Sequence, residues 1–210
     1  WYHKYQFIYA PFAYSTYSLY WIFIKDTIVL LKSIRNRKVN LSYILSFLAQ
    51  KSFYILYLLV LPLLFAQQSI GTIFLGFLLM HLIQSVFLLF TFFMTHHVLE
   101  TTYPETDRNG IIQTSWLMNQ ISSSNDMHPF SETANFILGG FNNHIAHHLF
   151  PHISHIHYPR LNKILYRTLK ENGITPNQTT YFGGVISHLK LLKKLSKKTV
   201  HNNDYSTYPA

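Results

Sequence analysis

Cysteine is absent from the 210 residues. Its absence excludes disulfide frameworks, thiolate zinc sites and cysteine nucleophiles, and leaves histidine and carboxylate as the pool of metal ligands. Charge is scarce as well: Asp, Glu, Lys and Arg make up 12% of the chain, against about 25% in ordinary soluble domains. With the hydrophobic residues bunched into runs, that shortage points to a lipid bilayer. Acidic residues number 8 against 17 basic ones, a formal net charge of +9. Five of the basic residues fall between Lys190 and Lys198. No aromatic stacking platform or recognition motif stands near them, so anionic lipid headgroups are the expected partner and nucleic acid is not. Flavin, haem and iron–sulfur motifs are missing, as are internal repeats and any strand pattern. There is no initiating methionine, and the first residues show neither a basic n-region nor a signal-type apolar core, which reads as the C-terminal piece of something longer.

The apolar runs set the fold class, an all-α membrane protein. Residues Trp1 to Leu31 are crowded with Tyr, Phe and Trp and interrupted by Lys25 and Asp26. Rings of this kind concentrate at headgroup depth, so the stretch reads as an interfacial helix, although Phe7 to Leu31 is long enough to cross if Lys25 snorkels. The basic run Lys32, Arg35, Arg37 and Lys38 belongs on the cytoplasmic side. Tyr43 to Ala66 reads as a crossing in which Lys51 must snorkel or meet a partner and Pro62 is tolerated. The uncharged link Gln67 to Gly71 reverses direction, and Thr72 to Thr95 forms a second crossing that carries His81 and Gln84. Basic residues flank the pair and avoid the link, so both outer ends face the cytoplasm and the two helices make a membrane hairpin. Residues Glu105 to Glu132 are polar, with Ser122 to Asn125 as a loop and Ile111 to Ile121 as a short surface helix containing Trp116. Pro159 suits the first turn of a helix that Gly173 closes, with Leu161, Ile164, Leu165 and Leu169 on one face and Lys163, Arg167 and Lys170 on the other. Gly184 to Lys198 reads as a basic amphipathic helix. The expected organisation is residues 1–40 as interfacial helix and basic linker, 41–97 as two transmembrane helices, 98–198 as a cytoplasmic helical cap, and 199–210 as a disordered tail.

The chemistry is concentrated in histidine. Six of the 13 histidines lie between Phe141 and His157. If Asn142 or Asn143 caps a helix running to Phe150, then His144, His147 and His148 stand at i, i+3 and i+4, with neighbouring Cβ atoms about 5–6 Å apart. Three imidazoles on one helical face can converge on one transition-metal ion or a close pair. His152, His155 and His157 are either donors that orient those ligands or polar residues at a helix entrance. His96 and His97 sit where the second crossing emerges. They are either interfacial polar residues at a helix C-terminus, or at least one is a ligand that meets the later cluster on the same face.

The sequence His97-Val98-Leu99-Glu100-Thr101, then Gly139-Gly140, then His144-x-x-His147-His148-Leu149-Phe150-Pro151, then His155-x-His157-Tyr158-Pro159 resembles the membrane fatty acid desaturases. Tyr9-Ala10-Pro11 is similar to the family's segment ahead of its third spanning helix, and the resemblance runs over nearly the whole chain while covering the C-terminal half of the family's architecture. It implies four spanning helices and a cytoplasmic cap in which three histidine boxes and one further histidine hold two irons. Residue by residue, it implies His144, His147 and His148 as the third box and His97 as the additional ligand; His96 lies off that alignment. The first two boxes are not found, since only His3 and His81 occur upstream. His144 stands where the front-end subgroup has glutamine, which argues against that subgroup. Phe93, four residues before His97, stands where some acyl-CoA desaturases carry an asparagine with a water-mediated contact.

The function implied is an O2-dependent di-iron desaturase acting on an acyl-lipid or acyl-CoA, with electrons from a separate carrier such as ferredoxin or a b-type cytochrome. The basic face of Lys163, Arg167, Lys170 and Lys190 to Lys198 suits an acidic carrier or the membrane equally. A related hydroxylase or ketolase, and a non-enzymatic zinc-binding membrane module, are the alternatives. With most of the ligand set missing, the chain by itself is expected to be inactive.

Overall fold

A computed structural model describes residues 2–197. The expected tail, 199–210, lies outside the described residues. The described residues are mostly helical and divide into two compact units, one of residues 10–89 and the other of residues 2–9 with 90–197.

The unit of residues 10–89 is built from apolar helices. Helix α1 (Gln6–Ser15) enters it, and after a break at Thr16 a short turn and a π-helical stretch, Tyr20–Lys25, lead into α2 (Asp26–Arg35). Helices α3 (Leu41–Phe65) and α4 (Ile70–Phe93) follow, at 25 and 24 residues. At 1.5 Å per residue each is roughly 36 Å long, enough to cross a hydrocarbon core of about 30 Å. Asn40 starts α3 by accepting a hydrogen bond from the Tyr43 amide at 2.9 Å. Helix α3 stays unbroken through Pro62 because a π-helical stretch, Leu56–Val60, absorbs the lost bond.

This unit is inverted relative to a water-soluble core. Its buried side chains include Ser18, His81 and Ser85, while Phe53, Leu64, Phe65, Ile70 and Ile83 are exposed. Such a surface suits lipid rather than water. The inward polar groups satisfy one another: Ser18 Oγ lies 2.8 Å from His81 Nδ1, Tyr54 Oη bonds to His81 Nε2, and Ser85 Oγ donates to the His81 carbonyl at 2.6 Å. Lys51 has the partner its position demanded. Its Nζ donates to Asp26 Oδ2 and to the Ile22 carbonyl, both at 2.7 Å.

The other unit packs five further helices, α5 (Trp116–Ser122), α6 (Glu132–Ile137), α7 (His144–Leu149), α8 (Tyr158–Glu171) and α9 (Tyr181–Leu195). Ser115, Ser131 and Thr180 cap α5, α6 and α9 through their side-chain oxygens. Ile121, Ile145, Ala146, Tyr158, Leu165 and Leu169 form the apolar core, which sits under α7. Two expectations are corrected here. Helix α5 begins at Trp116 rather than Ile111, because Ser115 caps it while Ile112 bridges back to Thr106. Strand structure is present too, since β1 (Asp126–Met127) pairs in parallel with β2 (Gln178–Thr179).

That small pairing has a large consequence. The Ser124 to Met127 segment is fully buried despite its polar sequence. The Asn125 amide donates to the Thr95 carbonyl at 2.8 Å, the Asp126 amide to Asn177 at 3.1 Å and the Met127 amide to Asn142 at 2.8 Å. One strand thereby ties the turn after α4 to the start of α7.

Candidate metal centre

Helix α7 is six residues long and carries His144, His147 and His148. A helix this short is marginal on its own and needs its first N–H groups satisfied. Asn143 occupies the N-cap position, yet its side chain makes no cap bond. Asp126 does the capping from the neighbouring strand: its Oδ1 accepts from the Ile145 amide at 2.9 Å, and its Oδ2 accepts from Tyr166 Oη at 2.9 Å. Full burial pushes the Asp126 carboxyl up to about 7, against the pull of those hydrogen bonds.

Opposite α7, the chain leaves α4 in a tight turn, with the His97 amide donating to the Phe93 carbonyl at 2.6 Å. The turn points His96 at the helix. His96 Nε2 lies 2.9 Å from His144 Nε2 and 3.2 Å from His148 Nε2. The ligand atoms of all three rings fall within 4.8 Å of one another. Two nitrogens held about 2.1 Å from one ion at angles of 90–110° are about 3.0–3.4 Å apart, close to the two spacings from His96.

The state of the rings agrees. His96 Nδ1 donates to the Ser123 carbonyl at 2.8 Å, which fixes the tautomer and leaves the Nε2 lone pair facing His144 and His148. Burial, and then the neighbouring His96, His148 and His147, hold His144 far below the usual imidazole range. Burial, His96 and His147 lower His148 in the same sense. Neutral imidazoles are what a metal requires. His144 differs from His96 in one respect, because its Nδ1 is buried without a hydrogen-bond partner. Stacking on Phe141, with ring centroids 6.3 Å apart, orients it instead.

The other histidines of the two motifs are placed differently. His97 turns away from it, placing Nδ1 2.8 Å from Tyr103 Oη. Because Tyr103 Oη donates its one proton to the His96 carbonyl at 2.9 Å, the His97 Nδ1–H must be the donor, and its Nε2 carries the lone pair. His147 is exposed and faces an open cleft of about 260 Å3, where its Nδ1 is 3.4 Å from Tyr158 Oη. His152, His155 and His157 are exposed and none joins the triad. The expected set was His97, His144, His147 and His148; the structure brings together His96, His144 and His148. A further participant could not be read from the sequence: His188, buried in α9, donates Nδ1–H to the His97 carbonyl at 2.7 Å and steadies the turn. Its i+4 relation to Gly184 marks an inward helix face and nothing more.

With three converging imidazoles in place, comparison with known proteins is decisive. The family model described as fatty acid desaturase matches residues 1–180. The chain belongs to the fatty acid desaturase family. Among curated proteins, this desaturase-family chain is 31% identical over 200 residues to the acyl-lipid (8-3)-desaturase of Physcomitrium patens, covering 93% of the chain and 42% of the relative. It is 30% identical over 204 residues to the probable Delta(5) fatty acid desaturase C of Dictyostelium discoideum, covering 91% and 43%. It is 27% identical over 201 residues to the sn-1 linoleoyl-lipid 6-desaturase of Arthrospira platensis, covering 93% and 54%. The chain thus spans about half the length of the curated relatives it matches. No solved structure matches it significantly.

Proposed function

We propose that this chain supplies part of the metal site of a di-iron, O2-dependent membrane desaturase that introduces a double bond into an acyl chain carried as acyl-lipid or acyl-CoA. The observation that carries the proposal is the convergence of His96, His144 and His148 Nε2 atoms on one point. These three residues would hold one ion. His97 and His147 each adjoin a member of the triad, with ring centroids 6.5 Å from His96 and 5.7 Å from His148, and would serve the second. Iron with O2 supplies the oxidant that unactivated methylenes require and that side chains cannot provide. The chain's own contribution is orientation and dryness: Ser123 and Asp126 aim the rings, and the core of Ile145, Ala146 and Tyr158 seals α7 from behind.

His96 follows closely on the end of α4, and we place the triad on the cytoplasmic side, the side that the basic run at Lys32 to Lys38 marks. An acidic redox carrier would dock on the exposed cations Arg160, Lys163, Arg167 and Lys170 of α8. Upstream of His96 the sequence offers only His3 and His81, and His81 is already bonded on both ring nitrogens. The ligand set of a di-iron centre therefore needs histidines beyond this chain, and the chain alone should be inactive.

Gas chromatography of fatty acids from a host expressing the complete coding sequence tests the reading. Unsaturated products that vanish in His96→Ala and His144→Ala support it. Hydroxylated products would identify the related hydroxylase, tight zinc without O2 consumption would identify a structural module, and undiminished desaturation in both variants would refute the assignment.

A further inference from the structure

Helix α7 is held by a second device, independent of Asp126. Asn162 Nδ2, on α8, donates to the Pro129 carbonyl at 3.2 Å and to Asn143 Oδ1 at 2.7 Å. Asn143 Nδ2 donates to Asn135 Oδ1, on α6, at 2.7 Å. Asn135 Nδ2 donates to the His155 carbonyl at 3.0 Å. The relay begins and ends on backbone carbonyls, which accept only, so the orientation of every amide along it is forced. Asn143 and Asn162 are fully buried and Asn135 is 5% exposed.

Three buried primary amides are costly. Each would lose roughly 1–3 kcal/mol if its partners were absent, and hydrocarbon side chains of similar volume would pack without that risk. What a connected polar network supplies instead is a unique geometry. Asn143 immediately precedes His144, so the relay fixes the rotation of α7 at the residue where the histidines begin. An imidazole nitrogen lies roughly 6 Å from its helix axis, and a rotation of 10° shifts it by about 1 Å. That is enough to spoil the 2.9 and 3.2 Å spacings to His96.

We propose that Asn135, Asn143 and Asn162 are positioning residues that set the rotation of α7, and thereby the metal affinity of His96, His144 and His148. The inference rests on reading those histidines as ligands. It is tested by titrating Co(II) into the metal-stripped full-length protein in lipid nanodiscs, following the visible absorption band, with circular dichroism recorded on each sample. Asn143→Ala should weaken Co(II) binding ten- to a hundredfold, as loss of an orienting partner does, and change the band shape while helix content is kept. Should Asn143→Ala fail to fold, Asn135→Ala, which breaks only the outer half of the relay, carries the test with an expected loss of at least threefold. Hydrogen exchange of the His144 to His148 amides should rise in either variant, with α8 amides unchanged. Co(II) affinity within twofold of wild type in a folded Asn143→Ala or Asn135→Ala variant overturns the inference and leaves the ligand assignment standing. Loss of Co(II) binding in His97→Ala but not in His96→Ala would overturn both.

Discussion

Replacing Asp126 separates its two roles, cap and buried acid. Asp126→Ala removes the acceptor for the Ile145 amide and the partner of Tyr166 Oη, two bonds of 2.9 Å in a site with no solvent exposure. Two buried groups left unpaired at roughly 1–3 kcal/mol each predict a loss of about 2–5 kcal/mol. Asp126→Asn keeps an oxygen for the Ile145 amide and cannot ionise. Wild-type Asp126 has its carboxyl raised from 3.8 to about 7, so the folded state binds the proton that the unfolded chain has released. Its contribution is complete below pH 4 and is lost as pH rises to 7, at about 1.4 kcal/mol per unit and about 4 kcal/mol in all. His144 works in the opposite direction. Its depressed imidazole contributes stability above pH 6.5 that falls away as the unfolded chain protonates below it. The two slopes cancel between about pH 4 and 6.5. The difference between Asp126→Asn and wild type isolates the carboxyl: it should climb in favour of Asn from pH 4 to 7 and then level. Guanidinium unfolding in detergent micelles, followed by tryptophan fluorescence at half-unit pH steps, measures it. A difference curve flat with pH, or an Asp126→Ala variant within 0.5 kcal/mol of wild type by a measurement with about that precision, would falsify this account of the cap.

At the histidine doublet, His96→Ala should reduce Co(II) affinity by more than the tenfold to hundredfold typical of an orienting residue, since both short nitrogen contacts run through it. His97→Ala should leave the triad's Co(II) band in place, as titration of the two variants side by side will show. Gly140→Ala forces a side chain onto a residue at φ +83° and places its Cβ 2.4 Å from His155 Cβ. The strain and displacement predict a loss of about 2–4 kcal/mol in thermal unfolding. Lys51→Met strands Asp26, and with the pair 25% and 34% exposed the expected cost is about 2 kcal/mol rather than the 3–5 of a fully buried pair. The double variant Lys51→Met/Asp26→Leu should recover most of it; no recovery would mean the ion pair is incidental.

What the sequence reveals and what it hides divide along the range of the forces involved. The two long apolar helices, candidate membrane spans, were legible because hydrophobicity accumulates over twenty residues, and their ends came within two residues of Tyr43–Ala66 and Thr72–Thr95. The box on α7 was legible because i, i+3 and i+4 spacing is a property of one helix. Lys51 advertised its need for a partner, though only the fold could name Asp26. At His96 and His97 the signal fails for a definite reason. Adjacent residues at a helix exit differ by about 100° in direction while their composition is identical, so the choice belongs to the Ser123 carbonyl and Tyr103 that receive them. Asp126 shows the limit most clearly. In a polar run of serines and asparagine it has the local character of a loop residue, yet β2, fifty residues on, and α7 bury it completely. Burial turns a solvated carboxylate into a cap on the histidine helix. The residues that hold the histidine segments in place are thus recognisable less by type than by the cost of leaving them where they are: an acid, three asparagines and an inward-facing histidine, each buried and each hydrogen-bonded to the backbone or to one another.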